Sequence, residues 1–412
     1  MLIALYGMLA VLFMSFIGIP LGLSMLIAGF VGFASIRGFD ASIFMTGQTL
    51  YDSSANYGLS VLPMFILMGV FIHRSEIADE LYSLANRLLG NFRGSLAQAT
   101  VGSCAMFGML TGSSIATAAT MSKIAIPPMR RLGYSDTLSS GCVASAGVLG
   151  MLIPPSVPLI IYGMVSDQDI LLLFKAAIGP GLLVASLFSI TIILLSVLKP
   201  SYFPSKDVKN DVADSGSFRV LFPFMLLFTV TMGGMYGGVF TVTEAAGIGA
   251  FGAFLIATFK RKLTFNTFIE SMIDAAKTTS KLFMVIIGAV VFGNFMNMTG
   301  VAKELVGYID GFGFGFYGLF FALIIMYLFL GAVMETIGVM ILTVPVLIPI
   351  MLSYNVDLIW FGVFVVMMVE IGMLSPPVGI NVFTVSTAFR DIPLKNIFIG
   401  TMPFMIANLF AI

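Results

Sequence analysis

Apolar runs of about twenty residues recur from one end of the sequence to the other, and they decide what the chain can become. A helix of that length spans the roughly 30 Å hydrocarbon core of a bilayer. Only 10% of the 412 residues are charged, and mean hydropathy is +1.06. A soluble domain carries about 25% charged residues, so a soluble enzyme, a disordered chain and a nucleic-acid binder are excluded. The ten-residue alternation of an outer-membrane barrel is missing. The fold class is therefore an all-α polytopic membrane protein. Lys+Arg and Asp+Glu balance at 20 each, so net charge names no partner. Cys104 and Cys142 lack CxxC spacing and His73 is the single histidine, so neither a disulfide framework nor a transition-metal centre is expected.

Read in order, residues 1–75 hold the first spans, with an interfacial arm at 40–56. No basic region precedes the first span and no small-x-small site closes it, so it is not a cleaved leader. Residues 75–92 form an amphipathic surface helix. Residues 94–130 carry basic residues at both ends and are interrupted at Thr111-Gly112-Ser113-Ser114, which predicts a re-entrant hairpin. Residues 137–164 cross with a break at Pro154-Pro155, and 171–198 cross back. Residues 199–217 are a polar cytoplasmic linker. The second half repeats the plan: spans at 218–298 with an arm helix at 264–277, a hairpin at 313–352, a helix at 358–388 broken at Pro376-Pro377, and a last span at 396–412. That span is shorter than its counterpart, so the natural chain is expected to continue past Ile412. With Arg130-Arg131 placed inside, sixteen basic residues fall inside and three outside, which puts the N-terminus outside.

The halves align at a constant offset of 222 residues: Pro127 with Pro349, Gly150-Met151-Leu152 with Gly372-Met373-Leu374, Pro154-Pro155 with Pro376-Pro377, Asp169-Ile170 with Asp391-Ile392. Five crossings in the first half turn the second upside down, giving two inverted repeats. Inverted repeats with broken helices are the sequence signature of a secondary transporter. A break at mid-bilayer leaves amides and carbonyls unpaired, which costs several kcal/mol in lipid. It is tolerable where those groups line a cavity: carbonyls and hydroxyls suit Na⁺, and helix N-termini suit a carboxylate.

The segment from Thr111 to Thr120 is small or hydroxyl-bearing except for Ile115. Plain helix packing by small residues is one reading; an ion site opposite the Pro-Pro break is the other. Three acids sit at apparent membrane depth, Glu244, Glu335 and Glu370, and such residues are functional candidates by default. Glu244 in Thr241-Val242-Thr243-Glu244 equally reads as a helix cap. His73 beside Arg74 reads as interfacial rather than as a proton relay.

The stretches TGSSIATAAT (111–120), RRLGYSDTLSSG (130–141), GVLGMLIPPSVPLIIYG (147–163), GGVFTVTEAAGIGA (237–250), LTVPVLIPI (342–350) and EIGMLSPPVGINVF (370–383) together resemble the large membrane subunit of tripartite ATP-independent periplasmic (TRAP) transporters, over nearly the whole chain. Val242, Ser375 and Glu335 stand where the family often has Pro, Thr and Asp. The resemblance implies membership of the ion-transporter superfamily and an elevator mechanism at the bacterial inner membrane. It implies a small four-helix membrane subunit and a periplasmic substrate-binding protein as partners, and Na⁺-coupled uptake of an organic acid: sialic acid, another sugar acid or a C4-dicarboxylate. By the same resemblance one Na⁺ site comprises Gly112, Ser113, Ser114, Gly147, Val148, Gly150 and Pro154. A second comprises Glu335, Thr336, Gly338, Gly372, Met373, Ser375 and Pro376. Substrate would meet Thr111, Ser114, Pro155, Ser156, Thr336, Pro377, Gly379 and Asn381. No enzyme is expected: HExxH, paired intramembrane Asp and a Ser/His pair are all missing. A binding-protein-independent Na⁺/dicarboxylate symporter of related fold is the alternative, and a channel is disfavoured by the hairpins.

Overall fold

The computed structural model describes residues 2–89, 94–204, 221–311 and 315–412, and the described residues contain no strand. Most of the polar linker, residues 205–217, lies outside them; its first residues form a 3-10 turn, Pro200–Tyr202. The first helices are α1 (Leu2–Phe16), α2 (Leu21–Arg37), α3 (Phe39–Ala55) and α4 (Val61–Arg74). Gly38, at φ 92°, turns the chain sharply between α2 and α3, a conformation that glycine adopts without steric cost. The amphipathic α5 (Ile77–Leu89) buries Ile77, Leu81, Leu84 and Ala85. It packs against α6 (Ser95–Thr111), which with α7 (Ser114–Arg131) makes a helical hairpin. Then come α8 (Asp136–Gly147), α9 (Leu149–Leu152), α10 (Val157–Ser166) and the long α11 (Ile170–Leu198).

Beyond the linker, α12 (Leu221–Phe228) runs through a π turn at Thr229–Gly233 into α13 (Gly234–Tyr236). There follow α14 (Val242–Phe259), α15 (Phe265–Thr299) and α16 (Val301–Gly311). A second hairpin, α17 (Gly315–Val333) with α18 (Thr336–Ser353), precedes α19 (Leu358–Gly372), α20 (Ile380–Ala388) and α21 (Leu394–Leu409). Sequence reading separates an arm at 264–277 from a span at 280–298. The structure joins them in the single 35-residue α15. At 1.5 Å per residue such a helix is about 52 Å long, well beyond a bilayer core, so arm and span are two stretches of one rod. The polar Glu270, Asp274 and Lys277 do not break it because straight-chain and acidic side chains are tolerated within a helix.

Among the described residues, six helices are long and apolar enough to cross a membrane, or seven when α8–α9 and α10, bent by 42° at their break, count as one span. The outward ridges carry large apolar side chains, such as Phe13 and Phe16 on α1 and Phe321, Ile325 and Phe329 on α17, all exposed. In water such a surface would associate; against lipid tails it needs no cover.

Helix starts follow local capping chemistry. Ser135 and Asp357, 222 residues apart, are the N-caps of α8 and α19 and accept from backbone amides at 2.7–3.2 Å. Thr241 and Glu244 form a capping box on α14, which decides the two readings of Glu244 in favour of the cap. Backbones of α2 and α15 touch: a Cβ placed on Gly288 would lie 2.1 Å from the Gly22 carbonyl oxygen. Only glycine permits that approach, and it locks the two helices into one wall.

Candidate functional site

Each hairpin tip is a helix end followed at once by a helix start. Gly112, at φ 60°, closes α6 in the left-handed conformation, and Ser113 is the N-cap of α7, its Oγ accepting from the Ala116 amide at 3.3 Å. The equivalent N-cap of α18 is Glu335. Its longer side chain makes no capping bond and is exposed toward a cavity. Each tip faces a break. Gly112 sits against Val157 and the Pro155 carbonyl, 3.0 and 3.7 Å from where its Cβ would be. The Gly379 amide donates to the Ala332 carbonyl at the end of α17, 3.1 Å away. Both Pro154–Pro155 and Pro376–Pro377 are cis peptides.

The breaks are held to the hairpins by glycine on glycine. A Cβ on Gly150 would lie 2.6 Å from Gly108 Cα, and one on Gly372 would lie 2.6 Å from Gly331 Cα. Gly150 and Gly372 stand out in the sequence as an aligned pair. Their partners Gly108 and Gly331 do not, because the second pairing is shifted by one residue and any glycine in an apolar helix looks alike.

The two tips then meet at a buried junction. Thr336 Oγ1 donates within reach of Met373 Sδ at 2.9 Å and of Met151 Sδ at 3.4 Å, while Ser114 Oγ lies 3.7 Å from Met373 Sδ. Ser114 and Thr336 are the first residues of α7 and α18, and Met151 and Met373 occupy the two breaks. All four are buried. The first-half tip thus contacts the second-half break, and the second-half tip contacts the first-half break.

Above this junction lies a cavity of about 1390 Å³. Its floor is formed by Thr111, Gly112 and Ser113 from one tip, Glu335 and Gly338 from the other, and Met151 and Val157 from the first break. The facing wall comes from α2, α4 and α15. His73 lines it, with Nδ1 3.3 Å from Thr120 Oγ1, so it is a cavity residue and not simply an interfacial one. Arg74 is held by Glu270 and Asp274, each at 3.4 Å. Lys281 also lines the wall. His73, Arg74 and Lys281 are not in the expected site. Their only sequence signal is polarity inside or beside an apolar run.

The other expected site residues lie around this floor. Ser114, Thr336 and Met373 are just beneath it. Val148, Pro154, Pro155 and Ser156 are buried; Ser156 Oγ donates to the Met151 carbonyl and accepts from the Leu159 amide at 3.4 Å. Gly147 packs on Ala118 of α7. Ser375 is buried, its hydroxyl turned back on the Ile371 carbonyl at 2.9 Å. Pro376 and Pro377 are exposed but do not line the cavity, and Gly379 and Asn381 are likewise off it. Asn381 donates to the Ala144 carbonyl at 3.3 Å, joining α20 to α8. Its Oδ1 is buried with no partner, as are Ser145 Oγ and both oxygens of Glu370. No group of three His, Cys, Asp or Glu that could hold a metal ion occurs among the described residues. The chemistry on offer is carbonyl, hydroxyl and amide oxygen for a hard monovalent cation, and the N-termini of α7, α10 and α18 for an anion.

Fold and site together define a helical membrane permease with a cavity between a helical wall and two hairpin tips. The family profile described as "Tripartite ATP-independent periplasmic transporter, DctM component" matches residues 7–412. The sialic acid TRAP transporter large permease protein SiaM of Vibrio cholerae is 30% identical over 412 residues, covering 98% of this chain and 93% of that one. The isethionate TRAP transporter permease protein DctMQ of Oleidesulfovibrio alaskensis is 31% identical over 384 residues; the match covers 90% of this chain and 58% of that longer relative. The crystal structure of the Alcanivorax borkumensis YdaH transporter, at 11% identity, matches with a TM-score of 0.68 over 91% of this chain and 87% of that one, and so shares the fold. The chain belongs to the DctM component family of tripartite ATP-independent periplasmic transporters. It is a transporter permease and not an enzyme.

Proposed function

We propose that the chain is the large membrane subunit of a Na⁺-coupled uptake system that carries an organic acid across the bacterial inner membrane. Its partners in this reading are a small four-helix membrane subunit and a periplasmic binding protein that hands over the acid. The observation that carries the reading is the reciprocal junction of Ser114, Thr336, Met151 and Met373 under the cavity. Residues 222 apart exchange partners across it, as two inverted repeats, 1–198 and 218–412, would require. The named relatives carry sialic acid and isethionate, both acids, which agrees with a floor built from helix N-termini.

Na⁺ occupies the oxygen-rich gaps between tip and break. The first comprises Gly112, Ser113, Ser114 and the 147–154 segment; the second Glu335, Thr336, Gly338 and the 372–376 segment. The unpartnered Asn381 Oδ1 and Ser145 Oγ beside the first gap are the buried acceptors such an ion relieves. Ion binding orders both tips, and the acid then binds across them. Hairpins and broken helices move as a carrier against a scaffold of α1, α2, α4, α14 and α15, with α3 and the first third of α15 as arms. The cavity wall at His73, Arg74 and Asp274 adjoins Lys260 and Lys262, which bond Glu80 and Glu76. Excess basic charge marks the cytoplasmic side, so this conformation is inward-facing and the N-terminus periplasmic.

The test is uptake by proteoliposomes holding this subunit and its small partner, with labelled organic acids, with and without a Na⁺ gradient and the binding protein. Uptake needing both is the expected result. Na⁺-driven uptake without any binding protein would assign a self-sufficient symporter instead, and uptake indifferent to Na⁺ would remove the ion sites.

A further inference from the structure

The cavity holds one cation that the transport reading leaves without a task. We propose that Lys281, supplied by the wall helix α15 and not by the carrier tips, reads a second acidic group on the substrate and thereby sets a preference for acids bearing two anionic groups. The inference rests on the uptake reading above and adds to it a specificity residue on the stationary wall.

Geometry places Lys281 against the floor. Gly22 backs onto Met284 and Val285 at backbone distance, and Leu21 reaches within 2.9 Å of where a Gly338 Cβ would stand. The start of α2, the 281–285 stretch of α15 and the first turn of α18 are therefore neighbours. Lys281 lies one turn before that crossing, is exposed and lines the cavity together with both tips.

Charge in the cavity is unevenly committed. Arg74, the other fixed cation of the lining, is tied to Glu270 and Asp274. Lys281 has no carboxylate within 4 Å among the described residues; the acid that lines the same cavity from the second tip is Glu335. A lysine on an apolar wall costs free energy unless something anionic or water meets it. The helix N-termini at the tips take one carboxylate. A second carboxylate or a sulfonate on the same molecule projects from the floor toward the wall, where Lys281 is the uncommitted donor. A monocarboxylic acid offers it nothing. Because Lys281 stands on the wall, it meets the acid only in this conformation, so it weights binding and exchange from the side to which the cavity opens and not the affinity of the carrier in every state.

The experiment uses the purified membrane complex in Na⁺-containing buffer, with succinate and sulfoacetate as two-charge probes and butyrate and N-acetylneuraminate as one-charge probes. Readouts are thermal stabilisation and competition for exchange of labelled acid from the side to which the cavity opens. In wild type the two-charge probes act at lower concentration. Lys281→Met, with Lys281→Gln as a second variant should the first unfold, raises the concentration needed for two-charge probes by about tenfold or more and moves one-charge probes less than about twofold. Lys281→Arg keeps the wild-type ranking. Equal shifts for both probe classes, no shift for either, or a wild-type preference for the one-charge probes would each overturn the inference. An effect that vanishes in a Glu335→Gln background would overturn it as well, since Lys281 would then only balance Glu335. A wild-type complex that responds to none of the acids would instead strike down the uptake reading on which it rests.

Discussion

Replacing Gly150 by alanine tests whether break and hairpin must touch through their backbones. The added methyl would stand 2.6 Å from Gly108 Cα and 3.1 Å from its carbonyl oxygen. Ordinary carbon contacts begin near 3.5 Å, so α6 and α9 must part by roughly 1 Å. No side chain can yield, since the atoms met are main chain. Overpacking of this kind costs about 1–3 kcal/mol, and the gain from replacing a helical glycine, up to about 1 kcal/mol, offsets only part. The displaced stretch carries Gly147 to Pro154, so the loss extends to the gap between tip and break. Thermal unfolding in detergent and Na⁺ titration of uptake are the assays. Gly150→Ala lowers the unfolding temperature and raises the Na⁺ needed for half-maximal uptake, and Gly372→Ala, also 2.6 Å from a backbone Cα, behaves alike. Gly179→Ala and Gly247→Ala meet nothing within 4 Å and serve as controls that leave both quantities unchanged or slightly improved. Gly150→Ala indistinguishable from Gly179→Ala in both assays would refute the reasoning.

Three further outcomes are expected. Thr336→Val removes the hydroxyl that reaches both Met373 and Met151, and should raise the Na⁺ concentration for half-maximal uptake several-fold, as should Ser113→Ala with Ser114→Ala; unchanged Na⁺ curves would take these residues out of the site. Thr241→Ala removes the capping box of α14 and should cost about 1 kcal/mol of stability without altering which acid is preferred, measured by denaturation and by competition. The Arg130 guanidinium, hydrogen-bonded to Asp391 at 2.7 Å, holds that carboxyl below the usual carboxylate range. The unfolded chain therefore binds the proton more readily, so the tie's stability is full above the unfolded pKa, near 3.9, and is lost as pH falls through the lower folded value. Acidification should accordingly narrow the stability gap between wild type and Asp391→Asn; a gap that stays constant down to about pH 3 would show that the charge pair is not what Asp391 contributes.

Much of the architecture is legible in residue order because membrane helices report themselves locally. Apolar runs, the Gly-Ser interruption at 112–114 and the doubled prolines each announce an element or its end through hydropathy, φ preference or a missing amide. Ser135 and Asp357 start their helices through the same short-range chemistry. Where a helix stops is less readable when nothing forbids its continuing. Residues 264–299 contain no Pro and two glycines, Gly288 and Gly293, both beyond the polar stretch near 277, which interrupts hydropathy without interrupting the helix.

The site divides in the same way. Sequence order determines which residues sit at the tips and breaks, since capping and proline chemistry act over three or four residues. Which of them face one another is set by tertiary packing alone. Glu335 turns into the cavity because its neighbour Thr336 is buried against two methionines from opposite halves. Asn381 lies off the cavity because α20 packs on α8, where the Ala144 carbonyl accepts from its amide. Gly108, Gly331 and Lys281 acquire meaning only when a helix remote in sequence comes within contact distance. Local chemistry is short-ranged along the chain, whereas a cavity is made of surfaces that meet only after the chain has folded.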